Sequence, residues 1–375
     1  MARLEEICAI NMGQSPDSST YNEDGNGLPF FQGNADFGEI YPAVRMWCSE
    51  PTKIAREKDI LISVRAPIGA LNIANCECCI GRGLAALTVN EDICAQEYLW
   101  HALSGKVDEL NSKGTGSTFK AINKKTLSET EIPLPPIDEQ RKIAAILDKV
   151  SDLIAKRHQQ LDKLDEMVKA RFVEMFGDVI QNTKLWPQYI FSDITTSRLG
   201  KMLDAKQQTG MCQYPYLANF NVQWFRFELD NLNEMDFNEA DRIEFELRDG
   251  DLLVCEGGEI GRCAVWHNEI QPCYFQKALH RVRCKKEIVL PDYLAWWFKY
   301  NCDNKGFAAI EGAKATISHL PGAKLKALLV SVPPIEQQKQ FATFVEQTEK
   351  TKNTISRSLE KLETLKKALM QEYFG

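Results

Sequence analysis

One sequence signature occurs twice in the chain, and this repetition constrains the fold more than any other feature. The segment 132–147, IPLPPIDEQRKIAAIL, resembles the segment 330–345, VSVPPIEQQKQFATFV. Residues 114–177 align with residues 312–375 without a gap, and the two copies end in EMFG and EYFG. A period this long predicts two large repeats, because solenoid proteins are built from units of only about 20–50 residues.

The first part of each repeat is predicted to be a strand-rich domain. Short apolar runs, such as DILISV and LAALTV in the first repeat and DLLVC and CAVW in the second, are separated by Gly, Pro and Asn. Runs of this kind between turn residues are typical of β-strands. The segments AQEYLWHAL and PDYLAWWFKY lie at matching places and predict one helix in each domain.

The last part of each repeat is predicted to be a long helix. Apolar residues recur at steps of three and four from Ile143 to Met175 and from Phe341 to Tyr373. Neither Gly nor Pro occurs at 137–176 or at 335–374. Such spacing over several heptads favours a coiled coil, and a helix of roughly 38 residues is about 57 Å long.

These features predict an α+β fold with two strand-rich mixed α/β domains, each followed by a long α-helix. We expect the two helices to pair as an antiparallel coiled coil with pseudo-twofold symmetry. The predicted boundaries are 1–136 for the first strand-rich domain, 137–180 for the central coiled-coil helix, 181–334 for the second domain and 335–375 for the C-terminal coiled-coil helix.

Motifs for catalysis, nucleotide binding and metal binding are not recognisable. The segment 114–122, GTGSTFKAI, lacks the Gly-Lys-Ser/Thr ending of a phosphate-binding loop. The 5 histidines show no metal-ligand spacing, and the cluster Cys76, Cys78 and Cys79 has no histidine near it in the sequence, so a zinc site is disfavoured. We expect the 12 cysteine thiols to be reduced in a cytoplasmic protein. No apolar run is long enough for a membrane span. We therefore expect a non-catalytic recognition protein without a metal or cofactor of its own.

The charge is unevenly distributed along the chain. The net charge of −7 argues mildly against an isolated nucleic-acid-binding protein, because phosphates favour a positive field. However, residues 277–286, KALHRVRCKK, carry five Lys/Arg and no acid, and residues 113–125 carry four Lys and no acid. Such a segment either faces a polyanion or is a solvated surface, and charge alone leaves both interpretations open.

The repeated segments resemble the specificity (S) subunit of type I restriction–modification enzymes. The resemblance lies in IPLPPIDEQRKIAAILDKVSDLI and its second copy, in the final EYFG, and in DILISVRAPIGALNIA followed by CIGRGLAAL. It covers almost the whole chain, and the duplicated PPI-x-x-Q segment before a long helix is its most specific part. The resemblance implies that the two strand-rich domains are target recognition domains.

A function and a set of partners are implied by the same resemblance. S subunits are non-catalytic and bind a split site on double-stranded DNA, with one half read by each domain and the spacer set by the coiled coil. They recruit two methyltransferase (M) subunits, which use S-adenosylmethionine to methylate adenine N6, and motor–nuclease (R) subunits complete a restriction enzyme. The weak similarity between the two domains implies an asymmetric target. Two alternatives stay open: a self-contained DNA-modifying enzyme, and a coiled-coil adaptor unrelated to DNA.

Candidate DNA-contacting residues follow from the chemistry of readout. Arg and Lys suit guanine, Asn and Gln suit adenine, and Lys, Ser and Thr suit phosphate. The candidates in the first domain are Arg65, Arg82, Lys113, Ser117, Thr118 and Lys120, with Gln14, Ser15 and Asn34 as weaker choices. The candidates in the second domain are Lys201, Arg262, Lys277, His280, Lys314 and Thr316. The alternative for each is an exposed or salt-bridged surface side chain.

Overall fold

Residues 1–116, 120–204, 208–308 and 319–375 are described by a computed structural model. They divide into one unit of residues 1–160 with 355–375 and a second unit of residues 161–354. Each unit takes in part of both long helices, so its limits cut across the domain boundaries proposed from the sequence. Among the described residues, no helix is both long and apolar enough to cross a membrane.

The first unit contains a four-stranded antiparallel sheet and a five-stranded mixed sheet. Its strands are β1 (Ala2–Arg3), β2 (Cys8–Met12), β3 (Tyr21–Asn22), β4 (Leu28–Phe31), β5 (Trp47–Cys48), β6 (Ile54–Ala55), β7 (Ile60–Ser63), β8 (Leu71–Ile73), β9 (Cys78–Ile80), β10 (Leu84–Val89) and β11 (Glu131–Ile132). Its short helices are α1 (Leu4–Ile7), α2 (Gln96–Ser104), α3 (Val107–Ser112) and α4 (Lys124–Ser128), and the long helix α5 (Ile137–Phe176) begins in this unit. The strand orders are β2-β10-β7-β8 and β3-β5-β4-β9-β6, and β1 pairs with β11.

The second unit repeats much of this arrangement. Its strands are β12 (Gln188–Ile190), β13 (Thr195–Leu199), β14 (Gln213–Leu217), β15 (Val222–Gln223), β16 (Arg226–Phe227), β17 (Asn233–Asp236), β18 (Leu252–Cys255), β19 (Cys263–Val265), β20 (Tyr274–Phe275), β21 (Leu279–Cys284) and β22 (Leu329–Ser331). Its helices are α6 (Phe191–Ile194), α7 (Glu239–Phe245), α8 (Pro291–Asp303) and α9 (Gly322–Lys326), followed by the start of the long helix α10 (Ile335–Phe374). The order β13-β21-β18-β19 matches β2-β10-β7-β8, and the pair β12–β22 matches β1–β11.

The second sheet of each unit contains the same parallel pair. Strand β4 pairs in parallel with β9, and strand β14 pairs in parallel with β20. All four residues of β7 and all four of β18 are buried, because both faces of these inner strands are covered. The strand-rich domains predicted from short apolar runs are therefore confirmed, and both share the order of the four-stranded sheet and one parallel strand pair.

A buried glutamine explains why PPI-x-x-Q occurs twice. The side-chain amide of Gln140 donates to the carbonyl oxygens of Ile93 (3.1 Å) and Pro135 (2.7 Å), and its oxygen accepts from the N–H of Ala95 (2.9 Å). Gln338 makes the equivalent three bonds. Both glutamines have no solvent exposure. Each glutamine thus ties the first turn of a long helix to the loop before α2 or α8.

In the second unit, the three partners of Gln338 are the carbonyl oxygens of Ile288 (3.0 Å) and Pro333 (2.8 Å) and the N–H of Leu290 (2.8 Å). The second copy of the motif is therefore built by the same contacts as the first. We call residues 132–140 and 330–338 the two helix joints.

The long helices run antiparallel within each unit. In the first unit, Phe374 near the end of α10 packs in one core with Ile143 and Leu147 near the start of α5. In the second unit, Phe176 at the end of α5 lies 5.4 Å from Phe341 near the start of α10, centroid to centroid. Both helices are 40 residues long. The predicted helices and their antiparallel pairing are confirmed.

Candidate nucleic-acid interface

Each four-stranded sheet has a tight turn immediately before an inner strand, and a basic residue lies on that turn. The turn 81–83 leads into β10, and the turn 276–278 leads into β21. In both units the glycine after the neighbouring strand donates its N–H to the first carbonyl of the inner strand, at 2.9 and 3.0 Å. Arg82 and Lys277 therefore occupy equivalent positions.

The side chains of Arg82 and Lys277 are available to a ligand. Both residues are exposed. Within the described part of the chain, neither side chain has a hydrogen-bond or ion-pair partner. An exposed cation at the equivalent position of both units is expected if each unit binds a polyanion.

Arg65 converges with Arg82 on a cavity of about 280 Å³ in the first unit. Arg65 follows β7 and is exposed, and its backbone forms an isolated bridge with Ala121. We call this cavity the arginine cleft and define it by the lining residues Asn34, Asp36, Ser63, Arg65 and Arg82. Ser15 supports its rim, because the backbone N–H of Arg82 donates to Ser15 Oγ at 3.3 Å. The candidates Arg65 and Arg82 and the weaker candidates Asn34 and Ser15 thus lie together.

A short 3-10 turn positions Asn34 beside the cleft. This turn is Asn34–Asp36 in the first unit, and its counterpart in the second unit is Asn219–Asn221. The last residue of each turn accepts a backbone N–H from the residue before the turn, at 3.4 Å for Asp36 and 2.9 Å for Asn221. Asn219 is therefore the counterpart of Asn34. Sequence reasoning missed it, although the pairing of QGNAD with LANFN was a usable signal.

The corresponding place in the second unit has different chemistry. The bridge between Gly257 and His319 matches that between Arg65 and Ala121, so Gly257 stands where Arg65 stands in the first unit. Asn219 donates from Nδ2 to the carbonyl of Gly257 at 3.1 Å. Arg262 donates to the carbonyl of Asn219 at 3.1 Å, and its guanidinium is held inside the unit.

Two candidates in the second unit have internal partners. Lys201 Nζ donates to Asp241 Oδ2 and to the carbonyl of Asp236, both at 2.6 Å. His280 is 2% exposed, and its Nε2 lies 3.0 Å from the carbonyl oxygen of Leu320. Burial lowers the pKa of His280 and favours the neutral ring, although the contact with Leu320 opposes this shift. Both side chains contribute to the fold of the unit.

The part of the basic segment 277–286 that lies in β21 also faces inward, whereas Lys277, Lys285 and Lys286 are exposed. Arg281 is 9% exposed and donates to the carbonyl of Glu244 at 2.7 Å. Burial, followed by the nearby charge of Arg283, lowers the pKa of Arg281 to about 10. Arg283 Nε donates to Asp251 Oδ1 at 2.7 Å. The polar residues of β21 are therefore structural, whereas Lys277 on the preceding turn is free to contact a ligand.

The remaining candidates of the first unit flank a segment that lies outside the described residues. Lys113 is exposed and forms an ion pair with Glu109 at 2.6 Å. Lys120 is exposed, and its carbonyl accepts the N–H of Ala66 at 3.0 Å. Four candidates fall outside the described residues: Ser117, Thr118, Lys314 and Thr316. Within the described ranges, no group of His, Cys, Asp and Glu is placed to hold a metal ion.

Comparisons with known proteins agree with this architecture. A family model described as "Type I restriction modification DNA specificity domain" matches residues 1–166 and 184–366. The type I restriction enzyme EcoBI specificity subunit of Escherichia coli is 21% identical over 99% of this chain and 84% of its own length. A putative type I restriction enzyme specificity subunit, MjaX of Methanocaldococcus jannaschii, is 43% identical, but the match spans only 44% of this chain and 39% of the relative.

A solved structure supports the fold. The S subunit of a type I restriction–modification system from M. genitalium aligns over 100% of this chain and 95% of its own length, with a TM-score of 0.62 and 13% sequence identity. Because the family model matches both repeats and well over half of the residues, the chain belongs to the family of type I restriction–modification DNA specificity subunits.

Proposed function

We propose that the chain is the DNA-recognition subunit of a type I restriction–modification complex and that each unit reads one half of a bipartite, asymmetric site. Family membership carries the recognition role, and members of this family are non-catalytic subunits. The observation that supports two half-sites is the pair of equivalent turns bearing Arg82 and Lys277. The different neighbours of these residues, Arg65 in one unit and Gly257 in the other, support an asymmetric target.

The DNA interface that we propose is smaller than the set predicted from sequence. It contains Arg65 and Arg82, with Asn34, in the first unit, and Lys277 and Asn219 in the second. Lys120 and the candidates outside the described residues remain proposed contacts. Lys201, Arg262 and His280 are left out, because contacts inside the second unit hold their side chains. Lys113 is left out because Glu109 pairs with it.

The long helices are proposed to set the spacer between the half-sites. A helix of 40 residues is about 60 Å long, which corresponds to roughly 18 base-pair steps of about 3.4 Å. If the helices set the distance between the two half-sites, the half-site spacing is a geometric property of the protein.

The partners are proposed to be two methyltransferase subunits that use S-adenosylmethionine, with motor–nuclease subunits in a restriction complex. Two copies of one partner require the same structure twice, and the two helix joints are built by the same hydrogen bonds. The net charge of −7 fits this arrangement, because partner subunits would supply much of the phosphate contact. We place the complex in the cytoplasm, where its DNA target is accessible.

The test is a map of N6-methyladenine in the genome of cells with and without this gene, in the presence of the partner methyltransferase genes. We expect a single bipartite motif with two different halves and a fixed spacer to be methylated only when the gene is present. Catalytically inactive partner genes provide the control. Identical methylation maps with and without the gene would contradict the proposal and would favour the adaptor alternative.

A separate measurement excludes the enzyme alternative. The purified full-length chain, incubated with DNA and S-adenosylmethionine, is expected to transfer no methyl group until the methyltransferase subunits are added. Methyl transfer or strand cleavage by the chain alone would show that it is a self-contained enzyme.

A further inference from the structure

We infer that the arginine cleft of the first unit reads a guanine, in a G·C base pair, through the major groove. The inference rests on the proposed function and goes beyond it by assigning one base and the residues that contact it. The ligand chemistry is a pair of neighbouring acceptors, guanine O6 and N7, which match the forked donors of an arginine. Arg65 and Arg82 are the two arginine residues that line the cleft.

The backbone holds Arg82 in a fixed place. The N–H of Gly81 donates to the carbonyl of Phe31 at 2.8 Å, and the carbonyl of Gly83 accepts the N–H of Val64 at 2.9 Å. A Cβ on Gly83 would lie 2.5 Å from the carbonyl oxygen of Gln32, so only glycine fits at this close approach. Because the turn fixes the backbone of Arg82, only its side-chain rotamers have to be ordered on binding, which favours specific readout.

The charges in the cleft favour a base edge over a phosphate. Asp36 also lines the cleft, and its Oδ2 accepts the N–H of Gln32 at 2.8 Å. Its Oδ1 has no hydrogen bond to the described residues. A carboxylate repels a phosphate but accepts a hydrogen bond from the N4 amino group of cytosine. Two arginines beside one carboxylate therefore complement both bases of a G·C pair.

The second unit lacks this combination. Gly257 replaces Arg65, Asn221 replaces Asp36, and Arg262 is bonded to Asn219. Lys277 alone stands at the equivalent turn, and a lysine presents one point charge without the planar fork. The guanine contact is therefore assigned to the half-site that the first unit reads.

The experiment uses the full chain assembled with its methyltransferase subunits and a set of duplexes in which each base pair of the target is replaced in turn. The variants are Arg82→Ala, Arg65→Ala and Arg82→Lys. The matched control is Arg56→Ala, because Arg56 is exposed at the opposite end of β7 from Arg65. Affinities are measured by competition at several salt concentrations.

For the wild-type complex, we expect replacement of one G·C pair in the first half-site to weaken binding by roughly 5- to 150-fold. This preference should fall below about threefold in Arg82→Ala and in Arg82→Lys, since the lysine keeps the charge but not the fork. The preferences in the second half-site should persist, which shows that the variant is folded. Arg56→Ala should behave as the wild type.

If Arg82→Ala weakened binding to every duplex by the same factor and reduced the salt dependence of the affinity by about one in slope, Arg82 would be a phosphate contact. This result would overturn the inference. Unchanged preferences in Arg65→Ala and Arg82→Ala would overturn it as well, while leaving the proposed function intact. Absence of sequence-specific binding by the wild-type complex would overturn both.

Discussion

At the residue scale, the role of a polar side chain in this protein can be assigned only when its burial is known. The sequence L-H-R-V-R-C of β21 suggests a basic surface strand, yet β21 lies inside its sheet and both of its faces are covered. Leu279 belongs to one apolar cluster and Val282 to another. The polar residues between them must therefore find internal partners, and His280 and Arg281 do so.

The two buried glutamines give a prediction at this scale. Gln140→Ala should lower the free energy of unfolding by about 1–3 kcal/mol, because it leaves a buried N–H and two carbonyl groups without partners. Gln338→Ala should have a similar effect. Chemical denaturation is the measurement, and Gln159→Ala, an exposed position on the same helix α5, is the control. Equal stability of the Gln140 and Gln159 variants would show that the three hydrogen bonds add nothing.

The sequence could predict part of the candidate site for a physical reason. A glycine-bearing turn before an apolar strand is a local feature, so Arg82 was identifiable from the sequence as an exposed cation and a candidate DNA contact. Arg65 and Asn34 lie beside one cleft only because strands that are distant in sequence pair with each other. No local sequence pattern predicts this pairing. The loss of Lys201 as a candidate likewise required the position of Asp241, which lies 40 residues further along the chain.

At the element scale, the long helices were predictable and the sheets were less so. A Pro-Pro pair marks the start of each helix, and the absence of Gly and Pro lets the helix continue through 40 residues. The parallel pairs β4–β9 and β14–β20 join strands of two to five residues, and such short runs carry too little periodicity to specify their partners. Sequence therefore predicted strands without their order.

Helix length gives the prediction at this scale. Inserting one heptad into both helices, after Gln160 in α5 and after Thr354 in α10, lengthens each by about 10.5 Å. We expect the preferred spacer to increase by about three base pairs, measured by methylation of targets with spacers of different length. Insertion into α5 alone should disrupt the pairing of the helices and lower activity on every spacer.

A loop insertion controls for added length. Seven residues inserted between Glu23 and Asp24, in an exposed loop of the first unit, should leave the preferred spacer unchanged. An unaltered spacer in the double heptad variant would mean that another part of the complex determines the distance between half-sites.

At the scale of the whole molecule, we expect duplication to let each unit change its specificity alone. Arg82 and Lys277 lie in different units and share no partner in the described residues. The free-energy effects of distant, independent substitutions add. The variant Arg82→Ala/Lys277→Ala should therefore lose binding energy equal to the sum of the two single losses, within about 0.5 kcal/mol.

The measurement is competition binding by the assembled complex. The contrasting double variant is Arg65→Ala/Arg82→Ala. Because both residues line one cleft, we expect the free-energy effects of these two substitutions to deviate from additivity. Strong coupling between Arg82 and Lys277 would contradict independent reading of the two half-sites.

The packing of Phe374 against Tyr98 in the first unit has a consequence for biosynthesis. The ribosome completes the first strand-rich domain long before it adds Phe374. The apolar surface that Phe374 covers, including Tyr98, therefore stays exposed in the nascent domain. Exposed apolar surface of this kind attracts chaperones and promotes aggregation. A stop codon that removes Phe374 and the preceding turns of α10 is therefore expected to damage the domain that was translated first.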